Sequence, residues 1–332
     1  MAFDFAPGRV CVLLPSYRHA RYLPKRIDSI LGQSYADFGL TVIDDKSPDE
    51  TAQILDKYRD RGNFKAYIRN ENSGSPFAAW EDAAASADAE YLWIAESDDF
   101  ASKDFLANAV AQMDANPNSV LYYTHSWVVD ESNLITGHTL NYLKEMFPKI
   151  DWSVDQKICG ESYNSEAQIY GNAVPNMSSA LIRLPAFRSA MRSDFRRYKL
   201  AADWTFIGRL AAQGDVEFRA RSDNYFRKHS QTARAETRLE ATCAEYSRAI
   251  SVIGSLPGVN RSAARESILK CFTMFVWEGG KVGAFAKESM RFGVSHNFTL
   301  GMRVLWLILR NPQLLNKLRE LVARRRQHVA AS

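Results

Sequence analysis

The chain has 332 residues, of which 46% are hydrophobic and 24% charged, ordinary for a soluble globular protein with one large domain or a domain plus an appendage. The net charge of +4 suits anionic ligands but is too small to argue for nucleic acid. Cys11, Cys159, Cys243 and Cys271 lack metal-ligand spacing, MAFDFAPGRV lacks the charged and apolar regions of a signal peptide, and no stretch approaches the roughly 20 apolar residues of a membrane-spanning helix, so the expected setting is reducing and cytosolic.

Residues 10–14, VCVLL, form a continuous apolar run, as expected of a strand buried on both faces in a parallel sheet. The run ends at Pro15-Ser16-Tyr17, after which Tyr22, Leu23, Ile27, Ile30 and Leu31 recur at helical spacing. A second strand over 40–43 closes at Asp44-Asp45. Ser47-Pro48-Asp49-Glu50 then predicts a capping box with proline at the first helical position. Ile54, Leu55 and Tyr58 mark the buried face of that helix. A third strand over 64–68 leads into the turn-forming loop NENSGSP, 70–76, and a small-residue helix over 77–87. The fourth strand, 91–95, delivers Glu96, Asp98 and Asp99 in quick succession. Phe105, Leu106, Ala109, Val110 and Met113 give the next helix, with Ser102 as its expected cap, and 120–129 is extended again.

Strands alternating with helices predict right-handed βαβ units, hence an α/β fold around a mainly parallel sheet. Ligands of such sheets sit at the carboxyl ends of the strands. Pro15-Ser16-Tyr17, Asp44-Asp45 and Glu96-Ser97-Asp98-Asp99 should therefore line one crevice. Taken alone, the acids after strand four read equally as a solvated turn or as hard oxygen ligands for Mg²⁺ or Mn²⁺. No GxGxxG follows the first strand and no GxxxxGK[ST] is present, which argues against a dinucleotide-binding fingerprint and a P-loop. The remaining option is pyrophosphate held through a carboxylate-bound divalent ion.

As an ordered set, VCVLLPSYRHARYLPKRIDSILGQSY, LTVIDDKSPDET, NENSGSPFAAW and YLWIAESDD resemble the N-terminal half of the family-2 glycosyltransferases, over residues 1–130. The resemblance implies the GT-A fold, Rossmann-like with a mainly parallel central sheet flanked by helices. It also implies inverting transfer from a nucleotide-diphosphate sugar with Mn²⁺ or Mg²⁺. Pro15, Ser16 and Tyr17 would then pack on the nucleotide base, Asp45 would accept a hydrogen bond from it, and Asn72, Gly74 and Ser75 would form the donor-side loop. Asp98 and Asp99 resemble the DXD acids, Asp99 as the direct metal ligand and Asp98 nearer the ribose but also a metal candidate. Glu96 and Ser97 belong to the same cluster. Arg18 and Trp80 depart from the family pattern, in which Asn is common at both places.

An inverting transfer needs a base for the acceptor hydroxyl. In KLAADWTFIGRLAAQG, residues 199–214, Asp203 precedes a helix marked by Trp204, Ile207, Leu210 and Ala211, and alone it reads as an N-cap. The resemblance implies that Asp203 is the base, although Ala202 stands where the family usually has a first acid. YFRKHSQTAR, residues 225–234, resembles the family's YRxH segment, which implies that His229 is a metal ligand or a diphosphate contact. Arg227 and Lys228 would neutralise phosphate or form a solvated face. Trp127, Asn172, Asn176 and Trp204 are candidate acceptor contacts, readable equally as core tryptophan and turn asparagine.

The expected domains are a catalytic unit over 1–235, with a donor half 1–130 and an acceptor half 131–235, and a helical C-terminal appendage over 236–332. Near the end, Leu314, Leu315, Leu318, Leu321 and Val322 share one helical face, with Lys317, Arg319, Arg324, Arg325 and Arg326 around it. This reads either as a basic helix on an anionic membrane or as a packed helix with a solvated side. The expected acceptor is a saccharide or lipid-linked oligosaccharide in bacterial surface polysaccharide synthesis. The expected location is cytoplasmic or the cytoplasmic face of the inner membrane. No nucleic-acid partner is expected. Two other classes stay open. One is a non-catalytic sugar- or nucleotide-binding module, against which the acids argue. The other is a sugar-nucleotidyltransferase, disfavoured because PSYRHARYLPK lacks the glycines of its loop.

Overall fold

The computed structural model describes residues 3–75, 77–192, 195, 198, 200–229 and 239–277, with 310 and 316 beyond them. Its described strands are β1 (Val10–Ser16), β2 (Phe38–Asp44), β3 (Phe64–Ile68), β4 (Tyr91–Ile94), β5 (Phe100–Ala101), β6 (Ser119–Val129), β7 (Ile135–His138), β8 (Gln156–Ile158), β9 (Ala180–Arg183) and β10 (Asp215–Arg227). They form one sheet in the order β3-β2-β1-β4-β9-β6-β10-β5, with β7 on β6 and β8 on β10. β1 runs parallel to β2, with Ser16 opposite Asp44, and parallel to β4, with Leu13 opposite Ile94. This register brings the ends of β1, β2 and β4 to one edge, as the strand–helix alternation predicts.

Period-two alternation sorts β1 between two cores. Val10, Val12 and Leu14 pack with Leu23, Ile27, Ile30 and Phe105. Cys11 and Leu13 face the opposite side with Trp80 and Ala83. The departure at residue 80, tryptophan in place of asparagine, is thus a core feature: Trp80 packs edge-on with Phe77 and Phe206. β9 is antiparallel to both β4 and β6, and it joins the parallel strands β3, β2, β1 and β4 to the parallel pair β6 and β10.

Two helix starts differ from expectation. The helix Thr51–Asp56 begins after Ser47, whose N–H and hydroxyl both donate to Asp44, at 2.8 and 2.6 Å. Asp49 instead accepts from the Thr51 hydroxyl, at 2.6 Å. The helix Phe105–Ala115 starts from Asp104, and the Ser102 hydroxyl donates to Asp223, at 3.2 Å. Ser47 turns back to the end of β2, and Ser102 reaches a residue of β10 that is distant in the chain.

The helices Leu239–Ile253 and Arg261–Trp277 are not detached from the sheet. Cys243, Ile250, Ile253 and Ile268 join the larger core. Gly208 permits the approach, since a Cβ there would lie 2.6 Å from Ile253 Cγ1. Among the described residues no helix is long and apolar enough to cross a membrane. The residues that carry the basic amphipathic reading, Leu314 to Arg326 as named above, lie outside the described residues, as do 230–234 of the YRxH-like segment.

Candidate active site

The candidate site is built from three strand ends. Ser16 is buried at the end of β1, and its hydroxyl has no partner among the described residues. Tyr17 is exposed beside it, with the Arg18 guanidinium over its ring at 5.1 Å. At the end of β2, Asp45 accepts from the Ser73 N–H and hydroxyl, both at 2.9 Å, and Arg69 lies 3.3 Å away. The Asn72 amide donates to the Asp45 carbonyl, at 2.9 Å. The Gly74 N–H returns to Asn72 Oδ1 at 2.7 Å, a turn completed by the positive φ of 67° at Gly74. Asp45 and the 72–75 loop therefore meet.

At the end of β4 the acids divide into two groups. Asp98 faces histidines: His229 Nε2 is 3.1 Å from its Oδ2. His19, which the sequence reading did not single out, joins them, and ligand atoms of His19, Asp98 and His229 lie within 4.8 Å of one another. The His19 Nδ1 is 2.7 Å from the Ser97 hydroxyl. Burial opposes charge on Asp98, but the hydrogen bond from His229 and the charge of His19 outweigh it and hold its carboxyl below the usual range. The same bond raises His229, while burial lowers His19 toward the neutral imidazole. One carboxylate with two imidazoles is a donor set that fits a divalent ion.

Asp99, the expected direct ligand, is placed differently. It is buried, one oxygen accepts from the Arg227 N–H at 2.8 Å, and the other accepts from the Asn176 amide at 2.8 Å. Burial and the neighbouring Asp98 charge push its carboxyl up to about 7. The Asn176 amide also donates to Glu96, at 2.9 Å, and burial with Asp99, Asp98 and Asp203 nearby pushes Glu96 well above the ordinary range. Asn176 is therefore a brace between two acids. It is itself held by Asn224, which donates to its carbonyl at 2.9 Å. Arg227 is likewise engaged within the protein: its guanidinium donates to the Asp98 carbonyl, the Asp130 carbonyl and Asn133. Beneath the cluster Arg26 is fully buried over Trp93, at 4.9 Å, with no hydrogen bond to a described residue. Burial lowers it to about 10, and the three acids act in the opposite sense.

Asp203 lies in the first turn of the helix Ala202–Ala211. Its carboxylate accepts from the Asn172 amide and from the Trp204 N–H, at 2.9 and 2.7 Å. The turn is anchored from the C-terminal helix, where buried Glu245 accepts from the Leu200 and Ala201 N–H groups, at 2.8 and 3.0 Å. Trp204 is a core residue: its indole N–H donates to the Gln168 carbonyl at 2.5 Å and its ring meets Tyr246. Of the candidate acceptor contacts, Trp127 alone presents an exposed aromatic face, set against His138. Asn172 orients Asp203, while Asn176 and Trp204 are buried. The signals the sequence reading missed were His19, two residues beyond the PSY segment, and Asn224, three before Arg227.

The family model described as "Glycosyl transferase family 2" matches residues 11–167. The poly(ribitol-phosphate) beta-N-acetylglucosaminyltransferase TarS of Staphylococcus aureus (strain Mu50 / ATCC 700699) is 33% identical over 112 residues, 33% of this chain and 20% of that protein. The chain thus matches about a fifth of that relative's length. The crystal structure of S. aureus TarS 1-349 in complex with UDP-GlcNAc superposes with a TM-score of 0.65 at 17% identity, covering 96% of this chain and 92% of that one. The mannosyltransferase PcManGT of Pyrobaculum calidifontis, in complex with GDP-Man and Mn²⁺, gives 0.51 at 16% identity, covering 93% and 88%. At these identities the structural likeness establishes a shared GT-A-type fold. The match over residues 11–167, with the strand-end acids in place, makes this part of the chain similar to glycosyl transferase family 2.

Proposed function

We propose that this chain is a metal-dependent, inverting glycosyltransferase that moves a sugar from a nucleotide diphosphate to a hydroxyl of a saccharide, free or lipid-linked, in surface polysaccharide synthesis. The observation that carries the reading is the meeting of the β1, β2 and β4 ends, with Asp45 braced by the 72–75 loop and Asp98 facing two histidines. The solved relative's donor, UDP-GlcNAc, is the first donor to test, and the Mn²⁺ of the second makes that ion the first metal.

In this reading the 15–17 segment and Asp45 receive the nucleoside, and Asp98 and His229 hold the ion. A bound divalent ion supplies Lewis-acid stabilisation of the departing diphosphate. Asp203, fixed by Asn172 and by the anchored helix start, takes the proton of the acceptor hydroxyl as its oxygen bonds to the anomeric carbon. The bond from that carbon to the diphosphate breaks on the opposite side, which inverts the centre. Glu96 and Asp99, with raised pKa values and amide donors around them, shape the floor of the site. Trp127 offers an apolar face suited to a sugar ring. The catalytic unit over 1–235 and the helical region over 236–332 remain the working division, with Glu245 as the link between them.

A thermal-shift panel of nucleotide sugars with Mn²⁺ tests the donor, followed by transfer assays on Asp203→Asn and Asp98→Asn. Loss of transfer in both, with nucleotide binding kept in Asp203→Asn, is expected. Full transfer by Asp203→Asn removes it from the base role, and the absence of any nucleotide-sugar shift overturns the donor site.

A further inference from the structure

We propose that the ion site of this chain is a face of two histidines and one carboxylate, with His19 as its third ligand, and that it therefore selects a first-row transition-metal ion such as Mn²⁺ over Mg²⁺. The proposal rests on the donor-site reading above and adds to it a residue and a selectivity. Three observations carry it. The ligand atoms of His19, Asp98 and His229 come within 4.8 Å of one another, and the Asp98–His229 pair is already at 3.1 Å. The three residues follow different strands, β1, β4 and β10, so their convergence is a tertiary feature and not a local turn. The His19 Nδ1 is fixed by the Ser97 hydroxyl at 2.7 Å, which leaves the other ring nitrogen for an ion. Metal-binding histidines are commonly oriented by such a bond on their second nitrogen.

The two rings are also held from the side. They stand edge to face, 5.7 Å apart, and both pack on Tyr22, at 6.0 and 5.9 Å. Arg227, which could otherwise compete for Asp98 as an ion pair, directs its guanidinium to backbone carbonyls and Asn133. Asp99 has both oxygens engaged by protein donors. The ligand set is thus rich in nitrogen. Mg²⁺ prefers oxygen ligands, whereas imidazole suits first-row transition ions. His19 lies just beyond the Tyr17 segment, so a bound ion would tie the nucleoside-facing loop to the diphosphate.

The test is Mn²⁺ titration of the full chain with UDP present, followed by loss of the free-ion EPR signal, with Mg²⁺ as competitor. Expected are one tight Mn²⁺ per wild-type chain, retention under a hundredfold excess of Mg²⁺, and at least tenfold weaker binding in His19→Ala and in His229→Ala. His19→Gln serves as a second variant in case His19→Ala does not fold. On the wild type, pulsed EPR with ¹⁵N-histidine labelling should report two coordinated histidines. One coordinated histidine, with His19 variants binding as the wild type does while Asp98→Asn loses the ion, overturns the His19 assignment and leaves the donor reading intact. Equal affinity for Mg²⁺ and Mn²⁺ overturns the selectivity. UDP binding by calorimetry without any Mn²⁺ uptake overturns the ion site itself. Absence of UDP binding overturns the donor reading.

Discussion

Replacing Asn176 by Ala removes the brace between Glu96 and Asp99 and exposes the logic of the acid cluster. The Asn176 amide donates to Asp99 at 2.8 Å and to Glu96 at 2.9 Å, and its carbonyl accepts from Asn224 at 2.9 Å. Asn176, Asp99 and Asn224 are all buried, so water does not readily replace these bonds. A neutral hydrogen bond contributes about 1 kcal/mol and one to a charged group about 1.5–3 kcal/mol, with a further cost for partners left unsatisfied. Glu96 is pushed toward its neutral form and Asp99 titrates near 7, so the bond to Asp99 lies between those limits at neutral pH. The sum is a loss of about 3 kcal/mol, roughly a hundredfold shift in the folding equilibrium. Urea unfolding at pH 7 reads it as a lower midpoint at unchanged slope. Asn176→Asp, which sets an oxygen where the donors stood, should cost more than the truncation. A loss below about 1 kcal/mol in Asn176→Ala would refute the bracing role and return Asn176 to the acceptor side.

Further outcomes follow from other parts of the molecule. Glu245→Ala should destabilise the protein by about 2–3 kcal/mol and lower kcat with little change in Mn²⁺ affinity, because it frees the start of the helix that carries Asp203; unchanged kcat in folded protein refutes the anchoring role. Buried His125 donates through Nε2 to the Trp152 carbonyl, at 2.8 Å, and burial lowers its pKa to about 4. A depressed histidine means the unfolded chain binds more protons between about 6.5 and 4. Stability is then full above pH 6.5 and falls by up to about 3 kcal/mol as pH drops toward 4. The difference between wild type and His125→Gln across that range should isolate this contribution, and parallel curves refute it. Finally, full-length protein should partition onto anionic vesicles more than a chain ending at Ser295 if the basic C-terminal segment is a membrane anchor; equal partitioning rules the anchor out.

The sequence by itself determined the α/β alternation and the edge at which the strand ends meet. Both are written in local patterns: apolar runs such as VCVLL and YLWIA set strands buried on both faces, and parallel order carries their polar ends to one side. Asp203 at a helix start was legible for the same reason, since helix periodicity and an acid before it are neighbours in the chain. Which acid faces what was not legible. Asp98 and Asp99 are adjacent, yet one turns toward His19 and His229 and the other toward Asn176 and the Arg227 N–H. That choice depends on strand ends separated by tens of residues in sequence. Asn176 and Trp204 carried the composition of sugar contacts, but tertiary packing made one a brace and the other core. His19 had no local signal at all, because a ligand set assembled from β1, β4 and β10 exists only once the sheet has brought those three ends together.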